Sequence, residues 1–460
     1  MKLEEIHSAY FIGIGGIGMS ALARWMKWKG IRVSGYDRTP SELTEKLISE
    51  DIEIHFKENI ETISGLDKEK TLIVYTPAVP KNHKELIHFQ TNGFEVMKRS
   101  EVLGQISKEI KTIAVAGTHG KTTTCSMIAH IFKYNNLNST ALVGGILSNY
   151  NSNLVLSGNP SNTEWMILEA DEFDRSFLTL SPEIAVITSI DPDHLDIYGD
   201  EQTIKTAFSD FSSRIKPEGH FWINHSANEN LDASKFKGSV KRTYGIEEGE
   251  VRASNFSVDG SYRFDYQLEG KTVDSYELQI PGRHNIENAI AAISVARNSG
   301  LEHSQIKEAL SNYKGVKRRF EYIIKSERLV YIDDYAHHPT EIKALLNSVR
   351  ELYPTKRIKA IFQPHLYSRT RDFQDGFAES LSLADETILL DIYPAREEPI
   401  PGVSSEIIFK KMKASQKRLL SKEELVDQIE IGSSDVLLTI GAGDIDKLVK
   451  PLKLKLEQSI

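Results

Sequence analysis

The sequence predicts an α/β protein of three domains, and three observations carry that reading. The chain has 460 residues, more than one hydrophobic core usually serves. Twice an apolar run enters a glycine loop and then an apolar-periodic helix, at residues 9–28 and 111–132. Beyond residue 318, apolar strands alternate with helical stretches, and each strand ends in a cluster of polar residues. The expected domains are 1–108, 109–316 and 317–460.

Composition narrows the function classes. Lys plus Arg number 56 against 65 Asp plus Glu, a net charge of −9, so no general attraction draws nucleic acid or anionic lipid to the surface. Anionic ligands must be met locally. The single cysteine, Cys125, permits no intrachain disulfide and no cysteine zinc cluster. The N-terminal apolar stretch is short and broken by glycine, and no run approaches the ~18 apolar residues of a membrane span. A cytoplasmic protein with no nucleic-acid or membrane partner is expected.

In the first domain, the strand at residues 9–14 leads into Gly13-Ile14-Gly15-Gly16-Ile17-Gly18, a G-x-G-x-x-G pattern opening a helix. The next strand, 31–36, ends at Asp37, near the spacing of a ribose-binding carboxylate. Together these predict a Rossmann-like nucleotide site and leave the nucleotide open. Strands at 71–75 and around 95–97 follow. Thr76-Pro77-Ala78-Val79-Pro80 turns at a carboxyl end, where ligands of open α/β sheets collect, and Arg99 is placed either to meet a diphosphate or to stand in solvent.

The second domain begins with a strand, a loop and a helix. The loop Gly117-Thr118-His119-Gly120-Lys121-Thr122 is a shortened G-x-x-G-K-T, because Val115 stands where the longer phosphate-loop pattern needs glycine. Backbone N–H groups, the lysine ammonium and the helix dipole there all favour a polyphosphate. The run Thr122, Thr123, Thr124 supports this, since threonine is a mediocre helix former where better ones are available.

Two further strand ends of this P-loop ATPase-type domain, which is expected to have a parallel sheet, carry acids. Glu169-Ala170-Asp171-Glu172 follows the strand 165–168, and Asp191-Pro192-Asp193-His194-Leu195-Asp196 follows 184–188. Such positions suit a magnesium ligand or a water-positioning group. Residues 221–280 change to short alternating stretches, a small β excursion. A helix then opens at Pro281-Gly282-Arg283-His284-Asn285, where Asn285 and Asn288 share a face as caps or as base-edge contacts.

Val316-Lys317-Arg318-Arg319-Phe320-Glu321 reads as a hinge whose arginines would make closure depend on substrate. The third domain has strands at 329–332, 359–362, 387–390 and 436–440. They end in Asp333-Asp334-Tyr335-Ala336-His337-His338, Gln363-Pro364-His365, Asp391-Ile392-Tyr393 and Gly441-Ala442-Gly443-Asp444. Adjacent histidines on extended backbone point opposite ways, so substrate recognition is a better reading here than zinc.

The loop G-T-H-G-K-T-T-T, E-A-D-E, D-P-D-H-L-D, G-R-H-N-I-E-N, R-R-F-E, D-D-Y-A-H-H-P-T-E and F-Q-P-H with S-R-T-R, behind a Rossmann-like first domain, resemble the Mur ligase family over essentially the whole chain. The resemblance implies three domains, the third a Rossmann-like α/β domain, and cytoplasmic peptidoglycan synthesis. The implied reaction is an ATP-dependent amide bond between the lactyl carboxylate of UDP-N-acetylmuramate and L-alanine, made through an acyl phosphate with Mg2+ by a monomer or homodimer.

The resemblance also implies roles. Gly117, Thr118, His119, Gly120 and Thr123 would line the ATP loop, Lys121 would bind the β- and γ-phosphates, and Thr122 would bind magnesium. Glu169 would bridge to that ion, and His194 would hold a second one near the substrate carboxylate. Asn285, Asn288 and Arg319 would contact ATP and Asp334 its ribose. Tyr335, His337 and Arg369 would surround the alanine and the lactyl group. Gly15, Gly16, Ile17, Gly18, Asp37 and Thr76 would hold the UDP part. Some family members have arginine where Leu366 stands, which leaves amino-acid carboxylate binding here to Arg369 or another group. Two rivals share parts of this pattern: a ligase that joins a ready-made tripeptide to the same UDP-sugar, and a nicotinamide-dependent dehydrogenase built on the first glycine loop.

Overall fold

The structure is a computed structural model that describes residues 5–157, 163–191, 198–258, 261–395, 397–414, 416–430, 432 and 435–458. Three sheets organise it. The first contains β1 (Ser8–Ile12), β2 (Arg32–Tyr36), β3 (Glu53–His55), β4 (Thr71–Tyr75) and β5 (Glu95–Lys98), all parallel, in the order β3-β2-β1-β4-β5. Its middle strands are buried on both faces, hence their nearly unbroken apolar runs.

The second sheet has ten strands: β6 (Lys111–Ala116), β7 (Ser139–Leu147), β8 (Ser152–Leu156), β9 (Trp165–Ala170), β10 (Ile184–Ile187), β11 (His220–Asn224), β12 (Val240–Gly245), β13 (Val251–Val258), β14 (Tyr262–Leu268) and β15 (Lys271–Leu278). Their order is β15-β14-β13-β12-β11-β10-β6-β9-β7-β8. The expected parallel sheet is present from β13 through β7, and an antiparallel hairpin, β7 with β8, makes the whole sheet mixed. The hairpin is hard to read from sequence because Gly144-Gly145 and the Asn-rich turn at 148–151 break its apolar pattern. The β excursion continues the main sheet through β13, β14 and β15.

The third sheet contains β16 (Glu321–Lys325), β17 (Val330–Asp334), β18 (Arg357–Phe362), β19 (Glu386–Leu389), β20 (Gln416–Leu419) and β21 (Asp435–Ile440), ordered β16-β17-β21-β18-β19-β20. Only the edge strand β16 runs antiparallel to its neighbour. The chain divides into two compact units. One holds the first two sheets, as Met1–Phe256, Arg263–Glu277 and Ile286–Tyr313; the other holds the third sheet, as Ser257–Tyr262, Leu278–Asn285 and Lys314–Ile460. Among the described residues no helix is long and apolar enough to cross a membrane.

Candidate active site

Strand register builds the first loop. Ile12 of β1 lies between Tyr36 of β2 and Tyr75 of β4, so the next residues, Gly13, Asp37 and Thr76, meet at one edge. Gly13 has φ +84°, and a Cβ there would stand 3.1 Å from the Thr76 methyl. Gly15 N–H donates to Asp37 Oδ2 at 2.7 Å. The predicted ribose carboxylate thus also fastens the loop's own backbone. The Arg99 guanidinium lies against Gly18, and Ile17 at the mouth is 37% exposed despite being apolar. Gly15, Gly16, Ile17, Gly18, Asp37 and Thr76 are therefore brought together, with Arg99 beside them.

The phosphate loop sits where β6 is flanked by β9 and β10. Ala116 pairs with Ala170 on one side and Ile187 on the other, which sets Glu169 and its followers against one wall and Thr188-Ser189 against the other. Ser189 Oγ accepts the His119 N–H at 2.9 Å and contacts Thr118 Oγ1 at 2.8 Å, and His119 Nε2 lies 3.6 Å from Asp191 Oδ2. Gly120, at φ +82°, starts the helix Lys121–Tyr134. Neither Thr188 nor Ser189 was marked by the sequence, and the only available signal was their place just past a buried strand.

Lys121 Nζ donates to the Gly117 carbonyl at 2.5 Å and to Glu172 Oε1 at 2.9 Å. Burial pushes the ammonium down, but Glu172, Asp171 and Glu169 outweigh it and hold the lysine above its ordinary range. Burial in turn raises Glu172, against the pull of Lys121. Thr122 Oγ1 donates to Glu169 Oε2 at 3.1 Å, and Glu169 Oε1 accepts the Gly144 N–H at 2.6 Å. Asn288, buried on the helix Arg283–Asn298, accepts from Thr124 Oγ1 at 3.0 Å; a Cβ on Gly120 would come within 2.6 Å of the same oxygen. Thr123 is buried beside them. Glu172 stood in the predicted acidic cluster without a role, and here it is the lysine's partner. Gly144 carried no sequence signal. A cleft lined by Arg99, Ser100, Leu103, Glu169, Asp171 and Ser176 joins the phosphate-loop acids to the arginine beside the first loop.

In the other unit, β17, β21 and β18 end level, so Tyr335, Gly441 and Gln363 lie side by side. The guanidinium carbons of Arg318 and Arg319 lie 5.2 and 5.8 Å from the Tyr335 ring centroid. Asp334 accepts the N–H of Phe320 at 2.7 Å and of Ala336 at 2.8 Å, and burial pushes its carboxyl up to about 6 against those bonds. It therefore braces the R-R-F-E turn, where Arg318 and Phe320 both have positive φ. His337 packs edge-on to Tyr335 at 5.3 Å and to His365 at 6.2 Å, while His338 caps the helix Pro339–Leu352. Arg369 lies on the short helix Tyr367–Asp372 just past His365, and Leu366 before it has φ +72°. Asn285 Nδ2 donates to the Pro281 carbonyl at 2.5 Å. His194 and its neighbours Asp193 and Asp196 lie outside the described residues.

A P-loop-type glycine loop with its lysine on a carboxylate, paired oxygen atoms beside it and a second glycine loop in the same unit are the arrangement of an α/β nucleotide-using enzyme. Residues 8–111 match the "Mur ligase family, catalytic domain", 115–296 the "Mur ligase middle domain" and 318–443 the "Mur ligase, glutamate ligase domain". The chain belongs to the Mur ligase family. It is 49% identical to the UDP-N-acetylmuramate–L-alanine ligase of Parabacteroides distasonis, covering 98% of each chain, and 46% identical to that of Cytophaga hutchinsonii, covering 100% of this chain and 98% of the relative. Among solved structures it resembles the UDP-N-acetylmuramate-alanine ligase of Thermotoga maritima, with a TM-score of 0.84, 28% identity, and coverage of 98% of this chain and 100% of that one. A murein peptide ligase from Psychrobacter arcticus shares the fold, at a TM-score of 0.70, 24% identity and 98% of each chain.

Proposed function

We propose that this protein joins the lactyl carboxylate of UDP-N-acetylmuramate to L-alanine with cleavage of ATP, in cytoplasmic peptidoglycan synthesis, as a monomer or homodimer. The observation that carries the chemistry is the phosphate loop, with Lys121 and Thr122 each on a carboxylate. Full-length likeness to alanine ligases supports the choice of substrates.

A carboxylate cannot acylate an amine directly, because its oxygen is a poor leaving group. Its oxygen therefore attacks the γ-phosphorus, ADP leaves, and an acyl phosphate forms. The neutral amine of alanine attacks the carbonyl carbon, the tetrahedral adduct loses inorganic phosphate and a proton, and the amide remains. Two anions must approach in the first step, so fixed positive charge is required. Lys121 supplies it at the β- and γ-phosphates, and the loop N–H groups from Gly117 to Thr123 orient the chain of phosphates.

Magnesium fits this site on the chemistry of its donors. Thr122 Oγ1 and Glu169 Oε2 are hard oxygen atoms 3.1 Å apart. Magnesium is held by one or two carboxylates together with waters and phosphate oxygens, and Glu169 with Thr122 offers such a pair. When bound, it would neutralise charge between phosphate oxygens. His194 is proposed for a second ion. Asn285, Asn288 and Arg319 are assigned to ATP and Asp334 to its ribose; Tyr335, His337 and Arg369 to alanine and the lactyl group; residues 15–18, Asp37 and Thr76 to the UDP part.

The test is phosphate release from ATP in the presence of UDP-N-acetylmuramate and a panel of amino acids. Turnover with L-alanine is expected. Turnover with the stem tripeptide alone would reassign the substrate, and tight NADH binding without UDP-sugar dependence would overturn the ligase.

A further inference from the structure

The hairpin β7–β8 reaches from the phosphate-loop sheet to the first glycine loop. Asn153 of β8 is fully buried; its Nδ2 donates to the carbonyl of Ile17 at 2.7 Å and to Ser20 Oγ at 2.9 Å, both in the first turn of the helix Ile17–Trp28. Its Oδ1 accepts from Arg24 of the same helix at 3.1 Å. Arg24 also donates to Ser152 Oγ at 2.8 Å and forks onto Glu50 at 2.6 and 2.7 Å. One side chain thus fixes both the first and the second turn of the helix that the glycine loop opens.

The helix has no side-chain cap of its own, since its N-cap is Gly16. Two side chains brace the loop from outside, Asp37 at the Gly15 N–H and Asn153 at the Ile17 carbonyl. The same hairpin donates the Gly144 N–H to Glu169 at 2.6 Å, so the strand pair that grips the glycine loop also grips the acid beside Thr122.

We infer that Asn153 is a positioning residue for UDP-sugar binding: the second domain's hairpin completes the nucleotide loop of the first. This rests on the reading of residues 13–18 as the UDP-sugar loop. An amide suits the position because it donates to a main-chain carbonyl while accepting from a guanidinium, which neither a carboxylate nor an aliphatic side chain does. Asn153→Asp keeps the acceptor for Arg24 and sets an oxygen against the Ile17 carbonyl, so it disturbs the loop while sparing the packing.

The experiment measures KM for UDP-N-acetylmuramate, ATP and L-alanine in Asn153→Asp, Asn153→Ala and Asp37→Ala, with Tm alongside. Asn153→Asp is expected to raise KM for the UDP-sugar about tenfold, with KM for ATP and kcat within about twofold of the parent. Asn153→Ala is expected to shift the same parameter in the same direction. An unchanged UDP-sugar KM in Asn153→Asp, beside a raised one in Asp37→Ala, overturns the inference alone. Equal losses for all three substrates also overturn it, as they mark a merely structural role. A normal UDP-sugar KM in Asp37→Ala overturns the reading of the loop itself.

Discussion

The ammonium of Lys121 lies 2.8 Å from one carboxylate oxygen of Glu172 and 2.9 Å from the other, and Glu172 is 2% exposed. The lysine that is to bind phosphate therefore already has an anionic partner. Lys121→Ala is expected to lower kcat by on the order of 10³ while UDP-sugar binding persists. It also strands a buried carboxylate, so a stability loss of about 3 kcal/mol is expected. Adding Glu172→Gln should recover Tm and leave activity lost. Recovery of activity in the double variant would remove Lys121 from the chemistry.

Glu169 accepts from Thr122 and from Gly144, so its two oxygens are held toward the loop. Glu169→Gln keeps an acceptor for the Gly144 N–H, turns an amide NH2 toward the Thr122 hydroxyl and removes the charge. The magnesium concentration needed for half-maximal turnover is expected to rise by about tenfold or more. A magnesium titration of phosphate release reads this directly, and an unshifted midpoint would take Glu169 off the metal.

Gly120 combines φ +82° with a Cβ position 2.6 Å from Asn288 Oδ1. Gly120→Ala is expected to cost about 1–2 kcal/mol from backbone strain and to raise KM for ATP by pushing Asn288 aside. Gly65, whose added Cβ meets nothing within 4 Å, is the control, and Gly65→Ala should leave both Tm and KM near the parent values.

His130, buried on the phosphate-loop helix, has Nε2 2.9 Å from the Ala309 carbonyl and Nδ1 2.9 Å from the Tyr150 hydroxyl. A carbonyl only accepts, so the ring is the neutral tautomer with its proton on Nε2, and the tyrosine donates to Nδ1. Burial pushes its pKa down to about 4. Between about 4 and 6.5 the unfolded chain binds more protons than the folded one, so stability rises with pH through that window and is lost as pH falls through it. The loss amounts to about 3 kcal/mol. Denaturant melts at a series of pH values should show this slope, and His130→Gln should flatten it.

The three sheets were readable because buried parallel strands must be continuously apolar, and β6, β10 and β21 announce themselves that way. The two glycine loops were readable because each sits between such a strand and a helix. The hairpin β7–β8 was not, since its pairing depends on partners rather than on its own interrupted pattern. Gly144 acts through its backbone N–H and Asn153 through its side-chain amide, each on residues far along the chain, which leaves no local trace.

Sequence by itself thus determined the chemical parts: a phosphate-type loop with lysine and threonine, acids at strand ends, and a second glycine loop between a strand and a helix. Local order suffices for these because a strand, a loop and a helix start are contiguous. Only the tertiary structure decided who meets whom. Strand order places β9 beside β6, which gives Lys121 to Glu172 and Thr122 to Glu169, and the hairpin β7–β8 at the sheet edge gives Ile17 to Asn153. Those pairings span 51, 47 and 136 residues of chain, and only the packed sheet brings such distant groups within hydrogen-bonding reach.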